Sequence, residues 1–286
     1  MRTSRLASRI LGSTRVRAVW SRLRAAPALG PVLHGIAQRV LPPGPVWVVV
    51  QGGPLRVRQF LCDPRFHMGY IRGDHEPWVV EWLSQRLQRG GTFVDVGAHL
   101  GYFTLIAADI VGPKGRVIAF EPDPRNAAIL EANVTAAGQG DRVEIVRAAV
   151  GAEDGVTPFL MDRDYSSRVP AEGEAPRAAA VMQRALDGLD LDPGTVIKVD
   201  AEGAELHVLL GARRHLGEKR GTWIIEVHEP ALEEAVLATL RQCGYAPEAY
   251  APAHPVYADY RRRYVLARSV PPFPQQRHAA TPRVRS

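Results

Sequence analysis

The stretch "TFVDVGAHLGYFTLIAADIV", residues 92–111, decides the fold of this chain. A short run of β-branched and aromatic residues ends at Gly97, and a longer apolar run begins at Leu100. The first run is typical of a strand and the second of a helix, so the stretch predicts a strand, a glycine turn and a helix. Gly97 and Gly101 let the backbone turn sharply and approach a ligand closely.

Strands and helices alternate in the same way along the rest of the sequence, which is typical of a parallel sheet with helices on both faces. We therefore predict an α/β fold with a doubly wound, mostly parallel sheet. The predicted strands are 92–97, 116–122, 142–150, 195–200 and 223–228, followed by a helix near 231–242 and a last strand at 262–269.

Domain boundaries follow from composition. The segment "LPPGP" at 41–45 cannot continue a helix, and it separates a basic N-terminal extension, 1–45, from a predicted β-hairpin region, 46–76. The main domain is predicted at 77–270, and the basic, proline-rich tail at 271–286 is predicted to be disordered.

Charge is distributed unevenly along the 286 residues. Residues 1–40 hold eight arginines and no acid, and residues 261–286 hold seven arginines and no acid, which leaves 21 basic against 30 acidic side chains elsewhere. The basic ends lack the interleaved aromatic residues of nucleic-acid binders, so we expect no nucleic-acid partner. Residues 5–24 mix apolar side chains with arginines, which leaves peripheral membrane contact through the N-terminus as an open alternative.

Cysteine usage and hydropathy bound the cellular setting. Cys62 and Cys243 lie far apart and in no CxxC grouping, so neither a disulfide framework nor a cysteine zinc site is indicated. Arginines interrupt the apolar stretches near the N-terminus, and no window reaches the roughly 18 apolar residues of a membrane span. We expect a cytoplasmic protein without a secretion signal or a transmembrane segment.

The glycine turn and the acid that follows the second strand indicate a nucleoside site. The spacing at 97–101 is GxxxG and not the GxGxxG of dinucleotide sites, and no Lys-Ser/Thr pair follows, which argues against NAD and ATP. Glu121 ends the second strand, where a carboxylate can accept hydrogen bonds from both ribose hydroxyls. A nucleoside without a pyrophosphate suggests S-adenosylmethionine.

Acidic side chains gather in "IKVDAEGAEL", residues 197–206. Asp200 ends the fourth strand, and open parallel sheets bind ligands at the carboxyl ends of their strands. His228 ends the fifth strand and shares a face with Glu226, so it can reach the same crevice. Because the unperturbed pKa of histidine is near neutral, Asp200 and His228 are the leading candidates for taking up a substrate proton.

The other charged residues of this segment allow two interpretations. Glu202 joins the catalytic candidates, although a helix start would also explain it. Glu205 is explained by the first turn of a helix, whose dipole favours a carboxylate. Lys198 is expected to neutralise Asp200. Carboxylates with His228 would suit Mg²⁺, but their spacing is not diagnostic, so no metal ligand is assigned.

Taken together, the motifs resemble the FkbM-type methyltransferases, which are class I enzymes that use S-adenosylmethionine. The likeness runs from about Glu76 to His228. It is carried by "HEPW", "FVDVGAHLGYFT", "VIAFEPDP", Asn133, "SS" at 166 and 167, "IKVDAEGAELHVLLGA" and "IIEVH". His99 stands where such proteins usually carry Asn.

This resemblance implies a Rossmann-like class I fold and methylation of a hydroxyl on a small-molecule natural product, as in secondary metabolite biosynthesis, or on a sugar or glycan. Asp95, Gly97 and Gly101 would shape the pocket for the methionine end of the cofactor. The whole implied cofactor site comprises Asp95, Gly97, His99, Gly101, Glu121 and Asp123, and the implied acceptor site comprises Glu76, Ser166 and Ser167. The hairpin and residues 151–190 are expected to contribute to the acceptor site.

Two other functions share some of these features. A nicotinamide-dependent oxidoreductase would also have a glycine turn and a ribose acid, but the GxGxxG motif is missing. A non-catalytic binding or scaffold protein would dock through its basic ends, but it would have no need of the cofactor residues.

Overall fold

The structure, a computed structural model, describes residues 40–161, 179–252 and 263–268. The strands are β1 (Val46–Val49), β2 (Gln59–Cys62), β3 (Thr92–Val96), β4 (Arg116–Phe120), β5 (Val143–Val146), β6 (Ala149–Val150), β7 (Gly155–Phe159), β8 (Ala179–Arg184), β9 (Val196–Val199), β10 (Thr222–Val227), β11 (Glu248–Tyr250) and β12 (Arg263–Ala267). The helices are α1 (Met68–Arg72), α2 (Pro77–Arg86), α3 (Tyr102–Val111), α4 (Pro124–Ala136), α5 (Glu205–Leu210), α6 (Arg213–Gly217) and α7 (Pro230–Gln242).

A seven-stranded sheet forms the centre of the molecule, with the strand order β11-β12-β10-β9-β3-β4-β5. Strands β5, β4, β3, β9 and β10 pair in parallel, whereas β12 runs antiparallel to both of its neighbours. The predicted doubly wound, mostly parallel sheet is confirmed. The chain winds to one side from β3 and to the other from β9, so the switch point of the sheet, where ligands bind in such folds, lies between these two strands.

Both faces of the sheet are buried, as alternate residues of the central strands show. Phe93, Val117 and Ala119 belong to one apolar core, whereas Val94 and Ile118 belong to the core on the opposite face. This alternation follows from the period of two in a strand. Helix α3 joins the first core and helices α5 and α7 join the second, so the carboxyl edge of the sheet is left for a ligand.

The predicted N-terminal hairpin is present, since β1 pairs antiparallel with β2. Asn133 on α4 attaches it to the main sheet. The Asn133 side chain accepts a hydrogen bond from the Leu61 backbone N–H at 2.6 Å and donates to the carbonyl oxygens of Leu61 at 3.1 Å and Leu100 at 2.9 Å. One buried amide therefore joins the hairpin, α4 and the loop after β3.

The structure corrects three predicted elements. The strand predicted at 142–150 is interrupted where Ala148 N–H donates to the carbonyl of Val146 at 2.9 Å, and β6 then pairs with β8 in a second, three-stranded sheet. The segment 151–194, in which no strand was predicted, contains β7 and β8. The alternation of strands and helices predicts one helix between 195–200 and 223–228, but the chain forms two, α5 and α6, which divide at Gly211, where a Cβ would overlap the carbonyl oxygen of Gly151.

Sequence reasoning also missed α1 and β11, which are too short to show a clear periodicity. In the parts of the chain that the structure describes, no helix has the length and apolar character needed to cross a membrane.

Candidate active site

The turn between β3 and α3 requires glycine at two positions. Gly97 has a φ of 75° and Gly101 a φ of 89°, both in the left-handed region that favours glycine. A Cβ at Gly97 would overlap the carbonyl oxygen of Asp200, and a Cβ at Gly101 would overlap the Leu130 side chain. The absence of a side chain lets Gly97 pack directly against the end of β9 and lets Gly101 pack against α4.

Glu121 lies at the end of β4 with both carboxylate oxygens directed at backbone donors. Its Oε2 accepts a hydrogen bond from the His99 N–H at 2.8 Å, and its Oε1 accepts from the Asp123 N–H at 2.9 Å. Burial raises the pKa of Glu121 to about 7, although these hydrogen bonds act in the opposite direction. Further donors would favour the charged form, so this carboxylate fits the two ribose hydroxyls of a nucleoside.

A ring cluster that the sequence analysis missed supports His99. The Tyr70 hydroxyl and His99 Nδ1 form a 3.0 Å hydrogen bond, and the ring of His67 stacks on that of Tyr70 with centroids 5.3 Å apart. Burial, together with the nearby His67 and His75, lowers the pKa of His99 to about 3, so its imidazole is neutral. The density of histidine and aromatic residues in 66–78 was the available signal.

Asp123 is the N-cap of α4, where its side chain accepts a hydrogen bond from the Arg125 backbone N–H at 2.8 Å. The Arg125 guanidinium also binds it, at 2.6 Å. Its backbone N–H is the donor to Glu121 described above, so Asp123 holds the loop in place around the ribose acid. A direct contact of its side chain with the cofactor stays a prediction.

Asp95 and Lys198 face each other across the switch point. They are partners in the parallel pairing of β3 with β9, and Lys198 Nζ lies 3.7 Å from Asp95 Oδ1. Thr104 donates to Asp95 Oδ2 at 2.7 Å, and the ammonium group lies 5.2 Å from the centroid of the Phe103 ring. Burial raises the pKa of Asp95, whereas Lys198 and Thr104 lower it. A donor or cationic group of a ligand near Asp95 would also favour its charged form.

Lys198 also binds Asp200, with its Nζ 3.1 Å from Asp200 Oδ2. Burial by itself would lower the pKa of Lys198, but the carboxylates of Asp200, Asp95, Glu76 and Glu226 raise it above its usual range. The ammonium group therefore stays charged although it is almost fully buried. The prediction that Lys198 neutralises Asp200 is confirmed.

His228 lies just after β10 in the middle of four carboxylates. Its Nδ1 is 2.7 Å from Glu205 Oε1, and its Nε2 is 3.4 Å from Asp200 Oδ1, 3.4 Å from Glu202 Oε2 and 3.8 Å from Glu226 Oε1. The side chain retains 22% of its exposure, so a substrate can reach it. The structure thus brings all three predicted catalytic residues, Asp200, Glu202 and His228, into one group.

The charge of His228 differs from the sequence-based expectation. Burial would lower its pKa, but the hydrogen bond to Glu205 and the charges of Asp200, Glu202 and Glu226 raise it to about 10. The assumption of a histidine near its ordinary pKa was therefore wrong, because residues from three segments surround the ring. Without a ligand the imidazole carries a proton at neutral pH, and its part in proton transfer stays a prediction.

The two glutamates after β9 have different surroundings. Glu202 has a φ of 48° and a side chain that is 40% exposed, so it faces the open side of the group. Glu205 begins α5, as expected, but its side chain is fully buried. Glu205 Oε1 accepts from the Gly203 N–H at 2.9 Å in addition to its contact with His228. Sequence reasoning missed that contact because the two residues are 23 positions apart.

Glu76 precedes α2 with a φ of 40°, and its buried carboxylate lies 3.3 Å from His75 Nε2. It is one of the acids that raise the pKa of Lys198, so the structure brings it near the same group. Its contact with the acceptor stays a prediction. Ser166 and Ser167 lie outside the described residues.

Three side chains could supply ligands to a metal. In the described ranges, Asp200, Glu226 and His228 offer ligand atoms that all lie within 4.8 Å of one another. However, Asp200 Oδ2 already binds Lys198, and Glu226 Oε2 accepts a hydrogen bond from Tyr264 at 3.2 Å. The other oxygen of each carboxylate faces His228 Nε2, Asp200 Oδ1 at 3.4 Å and Glu226 Oε1 at 3.8 Å, and we assign no metal ligand.

The fold and the site together define a class of protein. The sheet has a single reversed strand, β12, among its described strands, and a glycine turn lies at its switch point. A buried acid, Glu121, ends the neighbouring strand β4. This is the arrangement of a class I S-adenosylmethionine-dependent methyltransferase.

Comparison with known families identifies the branch of that class. A sequence profile described as the methyltransferase FkbM domain matches residues 95–247, more than half of the 286 residues. The chain belongs to the FkbM methyltransferase family. The profile match includes Glu121, Asp200, Glu205 and His228, whereas Glu76 precedes it.

More distant relatives match over shorter stretches. The human transmembrane O-methyltransferase is 31% identical over 107 residues, which cover 37% of this chain and 34% of that protein. Catechol O-methyltransferase of Sus scrofa is 34% identical over 94 residues, covering 33% of this chain and 46% of that protein. The chain therefore spans between a third and a half of these two relatives. The crystal structure of methyltransferase FkbM from Methylobacillus flagellatus KT is 19% identical, covers 70% of this chain and 52% of that chain, and has a TM-score of 0.45.

Proposed function

We propose that this protein transfers a methyl group from S-adenosylmethionine to a hydroxyl of a small-molecule natural product or of a sugar. The observation that carries this proposal is the pairing of Asp200 with His228 at the carboxyl ends of β9 and β10, beside the turn at Gly97. An acceptor hydroxyl must lose its proton during methyl transfer, and this pair can take it. Two of the relatives are named as O-methyltransferases, which agrees with an oxygen acceptor.

Cofactor binding is proposed to depend on Glu121 and Asp95. Glu121 would accept the ribose hydroxyls, and Asp95 with the β3 turn would hold the methionine end. When bound, the cofactor supplies a methyl carbon activated by positive sulfur. The protein then has to align the acceptor oxygen with this carbon and exclude competing water, since orientation contributes much of the rate in such displacements.

Proton transfer is proposed to involve Asp200 and His228 as a coupled pair. Lys198 binds Oδ2 of the Asp200 carboxylate, and Oδ1 of the same carboxylate faces His228 Nε2. A positive ligand charge in this crevice would lower the pKa of His228 from its raised value, so that the pair can accept a proton. The pair would keep the proton of the acceptor hydroxyl, while the cofactor would supply the methyl group by cleavage of its sulfur–methyl bond and leave as S-adenosylhomocysteine.

The class of acceptor and the cellular location are also proposed. A natural-product acceptor would place the reaction in secondary metabolite biosynthesis, and a glycan is the other acceptor class. We propose a cytoplasmic location, which agrees with two cysteines that form no disulfide. Peripheral contact of the basic N-terminus with a membrane surface is kept as an alternative proposal.

The direct test is incubation with methyl-labelled S-adenosylmethionine and extracts of the producing cell, followed by mass identification of the labelled product. Label on a small molecule or a glycan supports the proposal, and label on protein or nucleic acid contradicts the acceptor class. Tight binding of S-adenosylhomocysteine without any transfer would instead support a non-catalytic scaffold. Binding of NAD without S-adenosylhomocysteine would support an oxidoreductase.

A further inference from the structure

Glu205 is a fully buried carboxylate that joins two segments of the candidate active site. Its Oε1 lies 2.7 Å from His228 Nδ1, which follows β10. The same oxygen accepts a hydrogen bond at 2.9 Å from the N–H of Gly203, in the loop that follows β9. One side chain therefore connects the loop that carries Asp200 and Glu202 to the histidine they face.

The position of Glu205 in the first turn of α5 does not account for this burial. A helix dipole favours a carboxylate even at an exposed surface, and α5 has only six residues. Removing a carboxylate from water is far more costly than the dipole can offset, unless hydrogen bonds and opposite charge replace the lost hydration. The contacts with His228 and Gly203 supply that replacement for Oε1, whereas Oε2 has no hydrogen-bond partner among the described residues.

The contact also determines which nitrogen of His228 faces the crevice. A protonated imidazole carries a hydrogen on both ring nitrogens, so the Nδ1–H of His228 is the donor to Glu205. Nε2 is then the nitrogen that faces Asp200 Oδ1 and Glu202 Oε2, each 3.4 Å away. If Glu205 were absent, the ring could rotate and present either nitrogen.

We propose that Glu205 is a positioning residue for the methyl transfer, which holds Nδ1 of His228 so that Nε2 faces Asp200 and the acceptor hydroxyl. This inference rests on the proposed function, because it assigns the proton of the acceptor to the Asp200–His228 pair. Glu205 itself touches neither the cofactor nor the acceptor, and it acts through His228.

Two substitutions separate geometry from charge. Glu205→Gln keeps an oxygen that can accept from His228 and Gly203 but removes the charge, whereas Glu205→Ala removes both. We expect kcat to fall by about tenfold in Glu205→Gln and by about a hundredfold in Glu205→Ala, the range found when carboxylates that orient a histidine are replaced. The KM for S-adenosylmethionine should stay unchanged in both. Glu233→Gln, at the first turn of α7, is the matched control and should keep the kcat of the unaltered protein.

A spectroscopic readout separates positioning from a general effect on folding. In nitrogen-labelled protein, the His228 Nδ1–H should give a hydrogen-bonded proton signal, which Glu205→Ala should abolish and Glu205→Gln should retain at a shifted position. The double variant Glu205→Ala/His228→Ala should have the same activity as His228→Ala alone, since the two residues act as a unit.

The outcomes are distinguishable from failure of the proposed function. If the unaltered protein transfers no methyl group to any acceptor, the proposed function fails, and the nitrogen spectra still report whether Glu205 holds the ring. An unchanged His228 signal in Glu205→Ala overturns the inference, as does a folded Glu205→Ala protein with unchanged kcat. If Glu205→Ala does not fold, the isosteric Glu205→Gln variant provides the test. An unchanged kcat and an unshifted His228 signal in Glu205→Gln would then contradict the inference.

Discussion

The ammonium group of Lys198 lies between two carboxylates, 3.1 Å from Asp200 Oδ2 and 3.7 Å from Asp95 Oδ1. Because Asp95 lies in β3, which leads into the glycine turn, and Asp200 directly follows β9, one buried cation connects these two neighbouring strands in the candidate active site.

Replacing Lys198 by Met should therefore destabilise the protein. The substitution leaves two buried or half-buried carboxylates without their counter-ion, and breaking a buried pair in this way costs about 3–5 kcal/mol. Denaturant unfolding monitored by circular dichroism measures the free energy of unfolding. Lys114→Met at an exposed position is the control, with an expected change within about 0.5 kcal/mol. A similar small change for Lys198→Met would mean that the ion pairs contribute little.

Asp200→Asn and His228→Ala should each abolish methyl transfer and leave cofactor affinity unchanged. Both side chains lie at the carboxyl ends of β9 and β10, and Glu121 accepts its described hydrogen bonds from His99 and Asp123 instead. Loss of a positioned acid–base group typically costs a factor of about 10²–10⁴ in rate. Single-turnover measurements with labelled cofactor give the rate, and calorimetric titration gives the affinity. Unchanged turnover would remove the substituted residue from the mechanism.

Glu121→Gln should weaken binding of S-adenosylhomocysteine. Hydrogen bonds to a charged group contribute about 1.5–3 kcal/mol each, so loss of the charge should lower affinity by roughly tenfold to a hundredfold. Titration calorimetry measures this effect, and Glu131→Gln on the exposed face of α4 should have none. An affinity equal to that of the unaltered protein would show that Glu121 does not hold the ribose.

The contribution of His67 to stability should fall as the pH is lowered below about 6.5. Burial lowers the pKa of His67 to about 4, although its bond to the Asp63 carbonyl acts in the opposite direction. The unfolded chain takes up the proton near the ordinary pKa and the folded protein only near the lowered one. Between these two values protonation favours unfolding, by up to about 1.4 kcal/mol for each pH unit.

Denaturant unfolding at a series of pH values measures this dependence. His67→Gln, which cannot titrate, should lose the part of the slope due to His67 between pH 4 and 6.5. Parallel curves for the two proteins would mean that His67 is not neutral in the folded state.

Removal of divalent metals should leave methyl transfer unchanged. Lys198 and His228 provide the positive charge beside Asp200, and Tyr264 donates to Glu226. Turnover is compared before and after dialysis against a chelator, with Mg²⁺ added back as the control. A loss that Mg²⁺ restores would instead make Asp200, Glu226 and His228 metal ligands.

Local patterns in the sequence were enough to predict the central sheet, the glycine turn after β3 and the position of Glu121 after β4. The run 92–111 encodes its strand, turn and helix within 20 consecutive residues, and Glu121 follows from its position at the next strand end. The break after Val146 was not predictable in this way, because β6 leaves the main sheet to pair with β8, a partner about 30 residues further along the chain.

The sequence by itself determined the class of fold, the acid Glu121 at the end of β4 and the carboxylates at the end of β9, because these depend on residues that are neighbours in the chain. Only the tertiary structure decided the charge of His228 and the contact of Glu205 with it. Both depend on distances between side chains from β9, α5 and β10, which are set by how the strands and helices pack. A pKa depends on those distances, so the residue types alone could not give it.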